Sequence, residues 1–212
     1  MQTRSSSGGF DDIPEKVAAV VFSHLGRDPR DRVRLAAVSK VWRDAEKSDA
    51  SLLGGSPSAL FELGKGLYDA KEYEHAIYWW RRATGDADAT YWFGVCYLYG
   101  YGVKEDYTKA VEWWERASGC GHASATTYLA MCYDTGHGVE ESETKTRELY
   151  LKAAELGCKD AAYELGIIYY HGACGVAVNK TEALKWWRVA VELGDTFVQG
   201  AVTKLEAELA AA

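Results

Sequence analysis

The chain repeats itself with a period of about 36 residues. The stretch TKAVEWWERA at 108–117 matches EHAIYWWRRA at 74–83 and TEALKWWRVA at 181–190, and each copy carries two adjacent tryptophans in the same register. A fixed period of this length is typical of stacked helical units, because one unit cannot bury its apolar face alone. With three prolines in 212 residues, the repeat predicts an all-α solenoid.

Glycine-rich turns divide each unit into two helices. Gly100-Tyr101-Gly102 returns 36 residues later as Gly136-His137-Gly138, where the chain needs a positive φ to turn. We predict the first helices at about 59–69, 89–99, 124–135 and 160–171, and the second helices at about 73–84, 107–118, 142–156 and 180–193. Asp106 and Asn179 are the predicted N-caps of two second helices.

One face of each second helix is predicted to be core. Alanine, tryptophan and alanine recur at i, i+4 and i+7, as in Ala110, Trp114 and Ala117. The third copy departs from this pattern, with Leu149-Tyr150 in place of Trp-Trp and Ala130 in place of the first-helix glycine. Cys96 and Cys132 share one repeat position and are predicted to be buried. A capping helix is predicted at 196–210, with an apolar stripe of Phe197, Val198, Ala201, Val202 and Leu205.

The succession L/F-G-x-x-Y, G-x-G-V, x-A-x-x-W-W-x-x-A resembles SEL-like repeats, which are relatives of tetratricopeptide repeats with longer turns. The resemblance implies four helical hairpins, at about 59–88, 89–123, 124–159 and 160–195, followed by the capping helix and tail at 196–212. In the tetratricopeptide arrangement, four positions of the first helix line a concave face that binds a client protein. The resemblance carries this role to Phe61, Lys65, Tyr68, Tyr91, Val95, Leu98, Tyr99, Thr127, Met131, Asp134, Tyr163, Ile167, Tyr170 and His171. Burial of these side chains between neighbouring repeats is the alternative.

A different pattern occupies residues 12–50. It opens with Ile13-Pro14-Glu15, turns at Asp28-Pro29-Arg30-Asp31 and closes with Val38-Ser39-Lys40-Val41-Trp42. Three short helices in about 40 residues form too small a core to hide these apolar residues without a partner. The order resembles an F-box, although Arg32 stands where that family usually has leucine, Ala18 and Ala19 are small, and the trailing Leu-Trp is absent. We expect a disordered tail at 1–11 and a linker at 51–58.

The F-box resemblance implies docking on a Skp-family adaptor and, through it, on a cullin–RING ubiquitin ligase. The residues implied in adaptor binding are Ile13, Pro14, Glu15, Val17, Val21, Phe22, Leu25, Val38 and Trp42.

Composition and motifs argue against several other functions. The net charge is −7. Residues 1–55 hold nine Lys/Arg and eight Asp/Glu, or +1, so residues 56–212 carry −8. This balance disfavours nucleic acid and anionic membranes as partners.

The five cysteines form no C-x-x-C pair, and neither a signal peptide nor a membrane span is evident, so we expect free thiols and an intracellular protein of the cytoplasm or nucleus. Neither a phosphate-binding loop, a nucleophile elbow nor a zinc ligand set is present, so we expect no catalysis, metal or cofactor.

Two functions remain in view. The first is a substrate-recognition adaptor of an SCF-type (Skp–cullin–F-box) ubiquitin ligase, with the F-box on the adaptor and the repeats on a client protein. The alternative is a protein-interaction scaffold built on SEL-like repeats without a ubiquitin role, which the unusual Arg32 and the missing Leu-Trp keep open.

Overall fold

The computed structural model describes residues 57–83 and 85–211. The predicted F-box at 12–50 with its adaptor-binding residues, the tail at 1–11 and most of the linker at 51–58 lie outside the described residues. The chain divides after Asp86 into two compact units. The described part of the first unit is one helical hairpin, and the second unit holds three hairpins and a further helix.

The described residues form nine helices connected by turns, and they contain no strand. In the first unit they are α1 (Pro57–Asp69) and α2 (Tyr73–Trp80). In the second unit they are α3 (Ala87–Tyr99), α4 (Tyr107–Gly119), α5 (Ala123–Thr135), α6 (Glu143–Glu155), α7 (Lys159–His171), α8 (Lys180–Glu192) and α9 (Gln199–Ala210). The order confirms the predicted alternation of first and second helices. None of the helices the structure describes has the length and apolar character that crossing a bilayer requires.

The ends of the helices follow the same rules in each hairpin of the second unit. The first helices α5 and α7 are followed by the C-cap residues Gly136 and Gly172, whose φ values of 70° and 71° place them in the left-handed region. The predicted N-caps are confirmed, because Asp106 accepts a hydrogen bond from the Lys109 N–H at 3.0 Å and Asn179 accepts one from the Glu182 N–H at 3.1 Å. Helix α2 ends at Trp80 rather than at 84, since the last amides shift to bonds three residues back, such as Arg82 N–H to the Trp79 carbonyl.

Each tryptophan-bearing hairpin is held by a contact between an indole and a glycine. Trp114 on α4 is fully buried against Gly94 on α3, and its indole N–H donates to the Tyr91 carbonyl at 3.2 Å. A methyl group on Gly94 would lie 2.5 Å from Trp114 Cδ1 and 2.6 Å from Cε2, so only glycine fits there. The same arrangement joins Trp80 to Gly64 and Trp187 to Gly166. The predicted packing role of these tryptophans is confirmed.

In the third hairpin an alanine and a tyrosine replace the glycine and the tryptophan that are in contact in the other hairpins. Ala130 on α5 and Tyr150 on α6 stand where the other hairpins have glycine and tryptophan, and they are 0% and 4% exposed in one apolar cluster. The single phenol ring of Tyr150 is smaller than an indole, which leaves room for the alanine methyl group. The exchange therefore keeps the core filled.

The turn between α7 and α8 contains one residue more than the corresponding turns of the second and third hairpins. Cys174 takes a φ of 51°, which is uncommon outside glycine, and its side chain is 7% exposed. The guanidinium of Arg147 on α6 donates to the Cys174 carbonyl, which anchors the turn to the preceding hairpin.

Helix α9 closes the second unit in the place of a further first helix. Val198, Val202 and Leu205 are buried at the positions that Ala161, Leu165 and Ile168 take one hairpin earlier. The prediction that Phe197 belongs to this stripe is wrong, because the helix begins only at Gln199 and the Phe197 side chain is 96% exposed.

Candidate protein-binding surface

The first helices of the second unit carry most of the predicted client-binding residues. We call this set, defined on α3, α5 and α7, the first-helix face. Its members are Tyr91, Val95, Leu98, Tyr99, Thr127, Met131, Asp134, Tyr163, Ile167, Tyr170 and His171. The structure distributes them among three environments that differ in what they can offer to a partner.

Four members are exposed. Tyr99 is 54% exposed and stacks on Tyr101 with ring centroids 5.4 Å apart, and Met131 is 47% exposed. Asp134 and His171 are also open to solvent. An exposed tyrosine and methionine on neighbouring first helices provide rigid and adaptable apolar contact area, which protein-binding surfaces favour.

Two members are buried inside the unit. Val95 is 5% exposed and packs in the cluster around Trp114, and Thr127 is 6% exposed. The Thr127 hydroxyl donates to the Ala123 carbonyl at 3.1 Å and lies 3.2 Å from the Cys158 sulfur. Because their side chains are buried, Val95 and Thr127 pack beneath the first-helix face and are not accessible to a partner.

The remaining members are half-buried aromatic and aliphatic side chains. Tyr91 stacks on His122 with centroids 4.6 Å apart, and Tyr170 lies 5.4 Å from the Trp187 ring. Tyr163 and Ile167 pack against the cluster that α8 and α9 form. Leu98 is half-buried in the cluster around Trp114. Their inner sides join the core while an edge of each stays accessible.

Three predicted client-binding residues fall in the first unit. Phe61 and Tyr68 are half-buried, and their rings lie 6.3 Å and 5.7 Å from the Trp80 ring. Lys65 forms an ion pair with Asp69, four residues further along α1. Within this unit they form a surface around the buried indole.

Two carboxylates that the sequence reasoning missed lie on the same side of α7 as two half-buried members of the first-helix face. Asp160 and Glu164 occur with Tyr163 and Ile167 at i, i+3, i+4 and i+7 of α7, so the helical period itself could have identified them. Burial, followed by the negative charges of Asp134 and Asp160, raises the pKa of the Glu164 carboxyl. Among the described residues, none of these three carboxylates forms an ion pair.

His122 joins the second and third hairpins. Its Nδ1 accepts a hydrogen bond from the Ala125 N–H at 3.0 Å, which caps α5. Its Nε2 lies 3.0 Å from the Asp88 carboxylate on α3. Because Nδ1 accepts, Nε2 carries the hydrogen and donates to Asp88. The His122 ring is held by these two hydrogen bonds, and Tyr91 of the first-helix face stacks on it. The sequence reasoning missed this role of His122.

The cysteines occupy apolar surroundings. Cys96 is fully buried and Cys132 is 5% exposed, which confirms their predicted burial, and burial raises the pKa of these thiols to about 12 and about 11. All five cysteines are free, and of these Cys120 alone is exposed. Within 57–83 and 85–211, no group of three or more His, Cys, Asp or Glu side chains is arranged to hold a metal ion.

Comparison with known protein families matches two kinds of domain. The Sel1 repeat matches four times, at 53–84, 87–122, 123–158 and 159–195, and together these matches cover more than half of the chain. An F-box-like domain matches residues 10–52. Both are typically non-catalytic interaction modules, so their combination is that of a protein–protein interaction adaptor.

Solved structures of repeat proteins resemble this chain. A Sel1 repeat protein from Oxalobacter formigenes is 30% identical, with a TM-score of 0.63 over 68% of this chain and 57% of that protein. A protective antigen of uropathogenic Escherichia coli strains, which displays an SLR fold, is 28% identical, with a TM-score of 0.65 over 76% of this chain and 34% of that protein. The chain thus spans between a third and three fifths of these proteins' length. No curated protein matches it.

The recurring Trp–Gly contacts, the capped hairpins and the four family matches agree with one another. The chain belongs to the Sel1 repeat family and carries an F-box-like domain ahead of its repeats.

Proposed function

We propose that the protein is a substrate-recognition adaptor of an SCF-type ubiquitin ligase. The observation that carries the proposal is the joining of an F-box-like domain, at 10–52, to four Sel1 repeats in one chain. The F-box-like domain docks on a Skp-family adaptor, and the repeats hold a client protein. Residues Ile13, Pro14, Glu15, Val17, Val21, Phe22, Leu25, Val38 and Trp42 form the adaptor contact in this proposal.

The mechanism is proximity rather than bond chemistry in this chain. The adaptor links the protein to a cullin–RING assembly that carries a charged ubiquitin-conjugating enzyme. A client held on the repeats then presents its lysines to that enzyme at a high effective concentration. The accessible residues of the first-helix face, with Phe61, Lys65 and Tyr68 of the first hairpin, are the proposed client contacts.

The adaptor contact is tested by a pull-down of the purified full chain with a Skp-family adaptor. The comparison variant is Pro14→Ala/Leu25→Asp, and its helical circular dichroism must match that of the wild type. We expect the wild type to bind and the variant to lose binding. If a well-folded wild type does not bind, the ligase role is refuted and the protein is an interaction scaffold of another kind.

The client contact needs a separate test on the repeats. Tyr99→Ser/Met131→Ser removes the two most exposed apolar side chains of the first-helix face, and both lie outside the buried core. We expect captured partners to be lost from this variant while adaptor binding is retained. If the variant kept both its captured partners and adaptor binding, or lost both, the repeats and the F-box-like domain would not have the separate binding roles proposed here.

A further inference from the structure

The charges of the first-helix face indicate which chemistry its partner has. On α5, Asp134 lies three residues after Met131, so the helical period places both on one side of the helix. On α7 the same period places Asp160 and Glu164 on the side of Ile167. Asp134 reaches the turn that follows α7, where its carboxylate accepts a hydrogen bond from the Cys174 thiol at 3.9 Å. Glu164 is half-buried, and burial, followed by the charges of Asp134 and Asp160, raises the pKa of its carboxyl. Within the described part of the chain no lysine or arginine pairs with these three carboxylates.

Exposed apolar side chains occur on two first helices and just before α9. Met131 is 47% exposed and Tyr99 is 54% exposed on the neighbouring first helices. Before α9, Phe197 takes the repeat position that Asp160 takes in α7, and it is 96% exposed. A partner that fits must therefore offer apolar contacts together with positive charge.

We propose that the first-helix face between α5 and α7 binds a cationic peptide segment, in which Lys or Arg side chains pair with Asp134, Asp160 and Glu164. The long aliphatic stem of such a side chain packs on Met131 and Ile167 while its charged end reaches the carboxylates. This inference rests on the proposed client-binding role of the repeats and adds the chemical class of the client segment.

Charge also decides against other macromolecules at this face. Residues 56–212 hold 15 Lys/Arg and 23 Asp/Glu, a net charge of −8, so a phosphate backbone or an anionic lipid surface would be repelled. A cationic segment is attracted by the same field and, on binding, removes the mutual repulsion of the three carboxylates. The charge complementarity thus selects a basic protein segment as the occupant.

The first experiment measures binding of the full chain to a short fluorescein-labelled peptide in which Arg alternates with Leu, by fluorescence anisotropy. We expect a peptide with Gln in place of Arg to bind about tenfold more weakly, because each charged pair is lost. Glu164→Gln should weaken binding of the Arg peptide by a similar factor. Glu148→Gln is the matched control, since it removes the same charge from an exposed position on α6.

Two results of this experiment overturn the proposal. One is absence of binding to the Arg peptide. The other is an equal loss in Glu148→Gln and Glu164→Gln, which would mean that only the overall charge attracts the peptide. A loss in Glu164→Gln alone supports the site, provided that the variant's thermal unfolding shows an intact fold.

A second experiment separates this proposal from the client-binding role itself. A random peptide display library is selected on the full chain, and each selected peptide is retested on Tyr99→Ser/Met131→Ser. Enrichment of Lys and Arg among the peptides that this variant loses supports the proposal. Face-dependent peptides without such enrichment overturn the cationic partner but keep the client-binding role, and the absence of any face-dependent peptide overturns both.

Discussion

Replacing Gly94 by alanine tests whether the indole–glycine contact holds the hairpin of α3 and α4 together. The added methyl group would lie 2.5 Å from Trp114 Cδ1, and the indole has no free space into which to withdraw because Trp114 is fully buried. The indole must therefore move, and its hydrogen bond to the Tyr91 carbonyl, now 3.2 Å long, must lengthen or break. Both effects act on the folded state.

The magnitude follows from three contributions. Overpacking a dense core costs about 1–3 kcal/mol. A buried indole N–H without an acceptor costs about 1–3 kcal/mol. Alanine is a better helix former than glycine by about 1 kcal/mol, which offsets part of the loss. The central values give a net loss of about 3 kcal/mol in the free energy of unfolding, or about 6–12 °C in Tm for a protein of this size.

The assay is urea and thermal unfolding followed by circular dichroism, with Gly119→Ala as the control. Gly119 ends α4, and a methyl group there would have no atom within 4 Å, so this variant should be unchanged or slightly more stable. Gly94→Ala/Trp114→Tyr recreates the pair that Ala130 and Tyr150 form in the third hairpin. This double variant should recover about 1–2 kcal/mol relative to the sum of the single changes.

Two results would refute this reasoning. If Gly94→Ala were as stable as Gly119→Ala, the methyl group would have found space that the structure does not contain. If the double variant lost as much as the two single changes added together, the pair would not act as a unit.

Three further predictions concern a cap, a carboxylate and the thiols. Asn179→Ala should lower the free energy of unfolding by about 1 kcal/mol in urea titrations, whereas Asn179→Asp should retain it, because only a side-chain oxygen can cap α8. The pKa of Glu164 is raised in the folded state, so ionisation of this carboxyl destabilises the fold at neutral pH, whereas at acid pH the carboxyl is protonated in both the folded and the unfolded state. Glu164→Gln should therefore raise Tm at pH 7, and the difference from wild type should vanish as the pH falls below the ordinary pKa of a carboxyl. Mass spectrometry after iodoacetamide treatment should find Cys120 modified and Cys96 protected, because Cys96 is fully buried and its thiol pKa is about 12.

Much of the fold is predictable from the sequence because the repeat supplies several copies of one local solution. The caps at Asp106 and Asn179 and the burial of Trp114 each follow from a rule within one hairpin, and the structure confirms them. The start of α9 does not follow in this way. An apolar stripe locates a helix but not its first residue, so Phe197 was wrongly included.

The surface is less predictable, since it depends on which neighbours cover each position. Val95 and Met131 share one repeat position, yet the first is 5% exposed and the second 47%. Val95 packs in the buried cluster around Trp114, whereas Met131 belongs to the hairpin in which Ala130 and Tyr150 replace glycine and tryptophan. A rule carried over from repeat position alone misses such differences.

The proposed binding role and the stability of the fold make opposite demands on Glu164. At the indole–glycine contacts, local sequence and packing favour the same structure, as expected of residues that serve stability. Glu164 is instead a half-buried carboxyl whose pKa is raised by burial and by the charges of Asp134 and Asp160, so its ionised form lowers stability in the free protein. A cationic partner would convert this repulsion into attraction, so binding of the Arg peptide should raise Tm in the wild type by mass action. In Glu164→Gln the free protein should be more stable and the rise on binding smaller, and this opposite pair of changes distinguishes a binding role from a structural one.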